Sequence, residues 1–337
     1  MNQMTSYALT TYPAFDSAVP AVFGGSVVAE RRFLEYFVTQ LNNDGTRKCY
    51  LGAVRRFSDW CRTRNIVELR SVEPMHIASY LKTLEREGRA APSINLHLTA
   101  LRGLFNWLIT GQIIGTNPAQ AVRGPKYVVT KGKTPVLTSE EARELLDSIS
   151  VVRKPKGQAG VNAPEPVIIG LRDRALIGVM TFTFARIRAV LKMQVRDYFV
   201  QGRRKWVRFH EKGGRELEVP CHPNLERYLD EYIAAANLVG DPDGLLFRTT
   251  GRKTGHAHAL WQQDVYRLIQ RHARNAGIAT KIGNHTFRAT GITVYLKGGG
   301  RLEVAQKMAG HASAQTTELY DRRHDAVSHE EVERIRI

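Results

Sequence analysis

Four short stretches of this sequence carry side chains suited to chemistry on a charged substrate. Thr183-Phe-Ala-Arg186-Ile-Arg-Ala189 sets a guanidinium, with Arg188 two residues on, in an otherwise largely apolar helical run. His210-Glu-Lys212-Gly-Gly-Arg puts an ammonium at the tip of a predicted hairpin. Asn284-His285-Thr-Phe-Arg288 places an imidazole and a guanidinium three apart on one helix face. Gly310-His311 is followed nine residues later by Tyr320. A guanidinium offers planar, paired donors to oxyanions and stays charged at any relevant pH. A phenol, with a pKa of about 10, reacts near neutrality only beside a base or a cationic cradle. Taken singly, each stretch has an ordinary explanation. Arg186 can cap a helix or pair with a buried acid, Lys212 can be a turn lysine, His285 and Arg288 can be a solvated face, and Tyr320 can be core.

Other chemistries are poorly served. The sequence has no Gly-rich phosphate loop of the nucleotide-binding kinds, no His-Glu-x-x-His and no Cys-x-x-Cys. His256-Ala-His258 would bind a metal only with converging partners, and a polar loop is the better reading. Cys49, Cys61 and Cys221 are an odd set without close pairing, which argues against a disulfide framework and for a reducing compartment. Cys49 and Cys61 are expected to pack as small hydrophobes. No apolar run approaches a bilayer span, and the N-terminus lacks a basic start followed by an apolar block. A cytoplasmic protein with no membrane partner is expected. The 337 residues are 43% apolar, 8% aromatic and 24% charged, a globular profile that excludes a disordered chain. Lys and Arg number 49 against 32 Asp and Glu, a formal charge of +17. That surplus favours a polyanionic partner, nucleic acid ahead of a membrane surface.

The elements that must position these residues fall into two domains. Residues 1–26 contain two prolines, adjacent glycines and no Lys or Arg, and read as a flexible lead-in. Residues 27–121 have helical periodicity: Leu34, Phe37 and Leu41; then Leu51, Val54, Phe57 and Trp60. A third helix fits Pro74–Glu87, with Ile77, Tyr80, Leu81 and Leu84 inward. A fourth starts near Pro92-Ser93 and runs through Leu96, Leu101, Leu104, Phe105 and Leu108. A basic linker, 122–133, follows, its Arg123, Lys126, Lys131 and Lys133 unopposed by any acid. The second domain, 134–325, opens on a capping box of Thr138 and Glu141. Lys154–Pro166 reads as a loop and Leu171–Thr183 as a helix. Asp197–Val200, Lys205–His210 and Glu216–Val219, jointed at Gln201-Gly202 and Gly213-Gly214, predict a small antiparallel sheet. Helix returns over Leu260–Ala276 and Phe287–Leu296, and 326–337 is a tail. The fold class is mainly α with a small antiparallel β-sheet.

Together and in this order, the four stretches resemble the signature of the tyrosine recombinases, the phage-integrase, Xer and Cre-like family: Arg, a hairpin Lys, His-x-x-Arg, Gly-His, then Tyr nine residues on. Pro92-Ser-Ile-Asn-Leu-His-Leu-Thr-Ala-Leu-Arg-Gly-Leu-Phe and Thr116-Asn-Pro-Ala resemble the family's helical core-binding (SAM-like) domain, and 134–325 its catalytic domain. One position departs. The family's usual acid three residues after the first arginine is here Ala189, with Arg188 alongside, which alters the support of Arg186.

The resemblance implies phosphoryl transfer on a DNA strand, which needs chiefly positioning and charge stabilisation from a protein. It implies that Arg186 and Arg288 hold the scissile phosphate and that His311 adds a hydrogen bond. Tyr320 is the implied nucleophile, His285 the acceptor of its proton and Lys212 the acid for the departing 5′-oxygen. It further implies a 3′-phosphotyrosine intermediate, no metal, cofactor or ATP, and two domains closing as a C-shaped clamp on double-stranded DNA. Dimers on one site, tetramers in the synapse and accessory DNA-bending proteins belong to the same expectation. Arg55, Arg89, Arg102, Lys126, Lys131 and Lys133 are plausible DNA contacts, and a solvated surface explains them equally well. The leading function is a recombinase or integrase of a mobile element. A Xer-like housekeeping resolvase, a type IB topoisomerase and a non-catalytic DNA-binding regulator are the alternatives.

Overall fold

The computed structural model describes residues 19–127, 132–153, 165–210, 214–250 and 257–321. The chain separates into two compact units, Met1–Val128 and Val129–Ile337. The lead-in before residue 19, the loop 154–164, Lys131, Lys212, His256 and the tail 326–337 lie outside the described residues.

The first unit is built on four helices: α1 (Val27–Glu35), α2 (Asp44–Arg62), α3 (Pro74–Arg86) and α4 (Ala91–Thr110). Ser26 caps α1 and Asn43 caps α2, each side chain accepting from an N–H three residues on. The periodic residues meet in one core: Phe37, Val54, Phe57, Ile77, Leu101, Leu104, Phe105 and Leu108 are all fully buried. The predicted first helix stops early. A π-helical turn, Tyr36–Gln40, ends it, and Leu41 packs from outside it. Arg47 closes this bend, donating to the carbonyls of Phe37 (2.9 Å) and Leu41 (2.7 Å) and pairing with Asp44 (2.6 Å).

Three expectations for this unit need correction. The end of the lead-in is ordered: Val22 and Phe23 are buried, and Phe23 lies 5.4 Å from Phe33 and 6.1 Å from Phe105, ring to ring. Its aromatic area repays the ordering of the backbone around Pro20. Leu96 is not core but exposed, because α4 buries the neighbouring stripe of Ile94, Leu98 and Leu101. Cys49 is exposed on the outer face of α2, whereas Cys61 and Cys221 pack inside.

The second unit starts with α5 (Ser139–Ser148), where the capping box forms as predicted: Thr138 Oγ1 accepts from Glu141 N and Glu141 returns the bond. The end of the stretch read as loop, β2 (Glu165–Pro166), pairs with β1 (Val152–Arg153), which precedes that stretch. Helices α6 (Ile168–Phe182) and α7 (Ile187–Val190) precede the antiparallel meander β3 (Tyr198–Gln201), β4 (Arg204–His210) and β5 (Glu216–Pro220). Then come α8 (Pro223–Ala235), α9 (Gln262–Asn275), α10 (Thr286–Lys297), α11 (Leu302–Ala309) and α12 (Ala314–Glu318). The core gathers Leu145, Leu176, Met180, Val207, Leu225, Leu229, Val265 and Ile269. Buried α6 is apolar nearly all round, as a central helix must be. No described helix is long and apolar enough to cross a membrane.

Candidate active site in the second unit

The site forms where α6 ends. Its last turn closes on Thr183, whose Oγ1 bonds back to the Val179 carbonyl at 2.6 Å. Phe184 then takes φ 58°, a left-handed conformation that bulky residues seldom adopt. This kink ejects the chain from the helix and leaves Arg186 at the N-cap of α7, with extended backbone. Arg186 therefore lies at a helix break, not inside the run the sequence suggested. The kink also aims the Phe184 carbonyl at Arg288, whose Nη1 donates to it. Gly291 makes the approach possible: a Cβ there would collide with the Thr181 carbonyl and come within 2.8 Å of the Phe184 ring.

Arg288 rides on α10 and is 3% exposed. Its Nη2 donates to the Ala309 carbonyl at 2.7 Å, and Arg186 Nη2 donates to the Gly310 carbonyl at 3.3 Å. Both carbonyls belong to the C-terminal end of α11, which Gly310 terminates in the left-handed conformation (φ 58°). A helix C-terminus exposes carbonyls and carries partial negative charge, so it is a natural seat for two cations.

His311 follows directly. It is buried, and its Nδ1 shares a 2.9 Å hydrogen bond with Thr317 Oγ1. Its ring stacks parallel to that of Tyr320, with centroids 6.0 Å apart and planes within 9°. Tyr320 rests against the small apolar cluster of Phe184, Ile292, Leu296, Ala305 and Ala309. Its carbonyl accepts from Thr293 Oγ1 on α10 at 3.0 Å. Gly132, at the end of the basic linker, donates to the Leu319 carbonyl next to it at 3.2 Å.

His285 occupies the N-cap of α10 rather than its first turn. Desolvation, then Arg288, then Arg186 hold its pKa below the ordinary imidazole value. The same causes push His311 down to about 4. Both rings are accordingly neutral near pH 7, with a lone pair to accept a proton or a hydrogen to donate. The same two guanidiniums, Arg288 and Arg186, lower the pKa of both rings. Among the described residues no cluster of His, Cys, Asp or Glu could hold a metal ion.

Lys212 lies outside the described residues, but its hairpin is fixed at the base. His210 pairs with Glu216 across β4 and β5, and its ring nitrogens reach Asp197 (3.1 Å) and Glu216 (3.3 Å). The remaining basic residues diverge. In the first unit, Arg55 and Arg89 line a surface groove with Lys48, Arg56 and Ser93, and Arg89 approaches Glu87 at 3.8 Å. Lys126 and Lys133 are exposed. Arg102 departs from the expected role: its guanidinium turns inward onto the carbonyls of Ala119 (3.1 Å) and Val122, tying down the segment after α4. Sequence reasoning passed over the props, Phe184, Gly291, Thr293 and Thr317. Only Gly291, a glycine inside a helix, carried a readable signal.

A helical unit followed by an α+β unit whose site gathers paired arginines, neutral imidazoles and a phenol defines a tyrosine-type DNA recombinase. Residues 136–326 match the family model described as phage integrase family, and residues 31–112 match the phage integrase N-terminal SAM-like domain. The chain is 29% identical over 293 residues to tyrosine recombinase XerD of Chlorobaculum tepidum, covering 86% of this chain and 89% of that one. In structure it resembles XerH site-specific recombinase bound to palindromic difH (TM-score 0.64, 21% identity, 86% and 78% covered). It also resembles a lambda integrase dimer bound to a COC′ core site (TM-score 0.64, 18% identity, 97% and 83% covered). The chain belongs to the phage integrase family, whose members are site-specific enzymes that cut and rejoin DNA.

Proposed function

We propose that this chain recombines the ends of a mobile element, cutting each DNA strand through a 3′-phosphotyrosine formed on Tyr320. The observation that carries the reading is the seating of Arg186 and Arg288 on successive carbonyls at the end of α11, immediately before His311, whose ring stacks on that of Tyr320. Arg186 and Arg288 clamp the non-bridging oxygens of the scissile phosphate, oriented by the carbonyls to which they donate. Neutral His285 takes the phenol proton as the Tyr320 oxygen bonds to phosphorus. The bond from phosphorus to the 5′-oxygen breaks, and Lys212 delivers a proton to the departing oxygen. His311 donates a hydrogen bond to the same phosphate. One phosphodiester replaces another, so the step reverses without ATP, and the guanidiniums supply the cationic charge.

Double-stranded DNA is the partner, with a dimer on each site and a tetramer in the synapse. The DNA-bound dimer named for lambda integrase and the difH complex named for XerH support this reading. The match to the phage integrase model supports a mobile element. A second reading, resolution of a chromosomal site, is favoured by the XerD relatives. Genomic neighbourhood separates the two.

The test is a suicide duplex, nicked near the cleavage point so that the cut strand diffuses away. Wild type should trap a covalent protein–DNA adduct without added magnesium, and Tyr320→Phe should trap none. Equal trapping by the phenylalanine variant overturns the assignment of the nucleophile.

A further inference from the structure

The segment leading into His285 is propped by one face of α9. Gln270 Nε2 donates to the Ile282 carbonyl, the Tyr266 ring lies against Gly283, and Asn284 Nδ2 donates to the Gln262 carbonyl at 3.0 Å. Positions 262, 266 and 270 are spaced by four, so they form a single helical stripe that fixes the approach of the chain to His285. At the N-terminal end of that stripe stands Trp261. It is the N-cap of α9, has extended backbone, makes no side-chain cap bond, and is 76% exposed. Trp60 by contrast is buried, and the Trp107 indole donates to the Arg32 carbonyl at 3.0 Å. An indole left in water one residue from the prop of His285 has nothing to gain for the fold. It has a large flat face to offer a ligand.

In an intact duplex each base covers the faces of its neighbours, and a protein reaches only base edges and backbone. A cut strand that moves to another duplex must first leave its complement, which exposes base faces next to the cleaved phosphate. Such faces stack on aromatic side chains with little regard to sequence. We propose that Trp261 is a strand-positioning residue, stacking its indole on a nucleobase that has left the duplex beside the scissile phosphate, on the His285 side of the site. The proposal rests on the DNA-cleaving function above.

The experiment measures binding of an intact synthetic duplex and of the same duplex bearing a short single-stranded gap. Wild type, Trp261→Ala and Trp261→Phe are compared, with circular dichroism as the check on folding. Wild type should prefer the gapped duplex, Trp261→Ala should lose about tenfold of that preference, and Trp261→Phe should recover most of it. Titration with gapped duplex should also quench a component of the tryptophan fluorescence that is missing from Trp261→Phe. An unchanged preference in Trp261→Ala, with identical quenching in Trp261→Phe, overturns the proposal while leaving DNA recombination intact. A folded wild type that binds neither duplex overturns the DNA reading, and the proposal with it.

Discussion

Among its described residues, the second unit buries two guanidiniums, Arg172 and Arg288, and holds them in opposite ways. Arg172, 7% exposed, places Nε (3.0 Å) and Nη2 (2.7 Å) on Asp173 Oδ1. Asp173 also receives Arg271 at 3.1 Å and His272 at 3.0 Å through its other oxygen. Arg288 is as deeply buried, but the carbonyls of Phe184 and Ala309 hold it. A carboxylate meets a cation with a full opposite charge, whereas a carbonyl offers only a dipole that orients it. The neighbours register the difference. Burial pushes the Asp173 carboxyl up, yet bonds and charge from His272 and Arg172 outweigh it and keep the pKa low. His285 and His311 are depressed by desolvation and by the field of Arg288 and Arg186. The Asp173 cluster thus ties α6 to α9, while Arg288 ties α10 to the ends of α6 and α11.

The comparison predicts separable failures. Asp173→Ala should cost the most stability, about 3–5 kcal/mol, because it strands Arg172 and His272 in the core. Urea unfolding followed by far-ultraviolet dichroism measures this, and a loss under about 1 kcal/mol would mean that water already serves these groups. Arg288→Gln should cost less, about 1–3 kcal/mol, since an amide can still reach one of the two carbonyls. Its main effect should fall on chemistry, with adduct formation on the suicide duplex reduced about 100- to 1000-fold. If DNA binding falls as far as cleavage does, Arg288 is a docking residue rather than a phosphate clamp.

The two clusters also differ in how far the sequence announced them. Arg288, His311 and Tyr320 were legible because a site signature is a pattern of residue types at fixed spacing. The four-helix core was legible because Phe57, Ile77 and Leu104 repeat with the helical period. Asp173 was not legible, since its partners Arg271 and His272 are some hundred residues away and only tertiary packing brings them together. The break that sets Arg186 at an N-cap was also hidden. Phe184 is a poor candidate for positive φ on intrinsic preference, and the chain adopts it where α10 crowds against the end of α6 at Gly291. Leu96 shows the reverse failure: helical spacing gave the period, but not which apolar residues the core would leave outside.

The pH dependence of stability is the sharpest test of the guanidinium field. His311 is held at about 4 against an ordinary 6.5, by burial first and then by Arg288 and Arg186. Below pH 6.5 the unfolded chain takes up a proton that the folded site refuses until near pH 4. Stability from keeping this ring neutral is therefore complete above pH 6.5 and is lost as pH falls through about 4. With the ring only 8% exposed, the loss is on the order of 3 kcal/mol. His311→Gln keeps a hydrogen-bonding side chain near Thr317 and has no proton to take up, so it should flatten the unfolding free energy across that window. Arg288→Gln should flatten it in part, by removing one of the two cations. Phosphate bound between the arginines should act in the same direction, raising the His311 pKa, which proton NMR of the ring would follow. A wild type whose stability is already flat between pH 4 and 6.5 would place His311 outside the guanidinium field. The contrast between the two clusters would then be one of hydrogen-bond geometry alone.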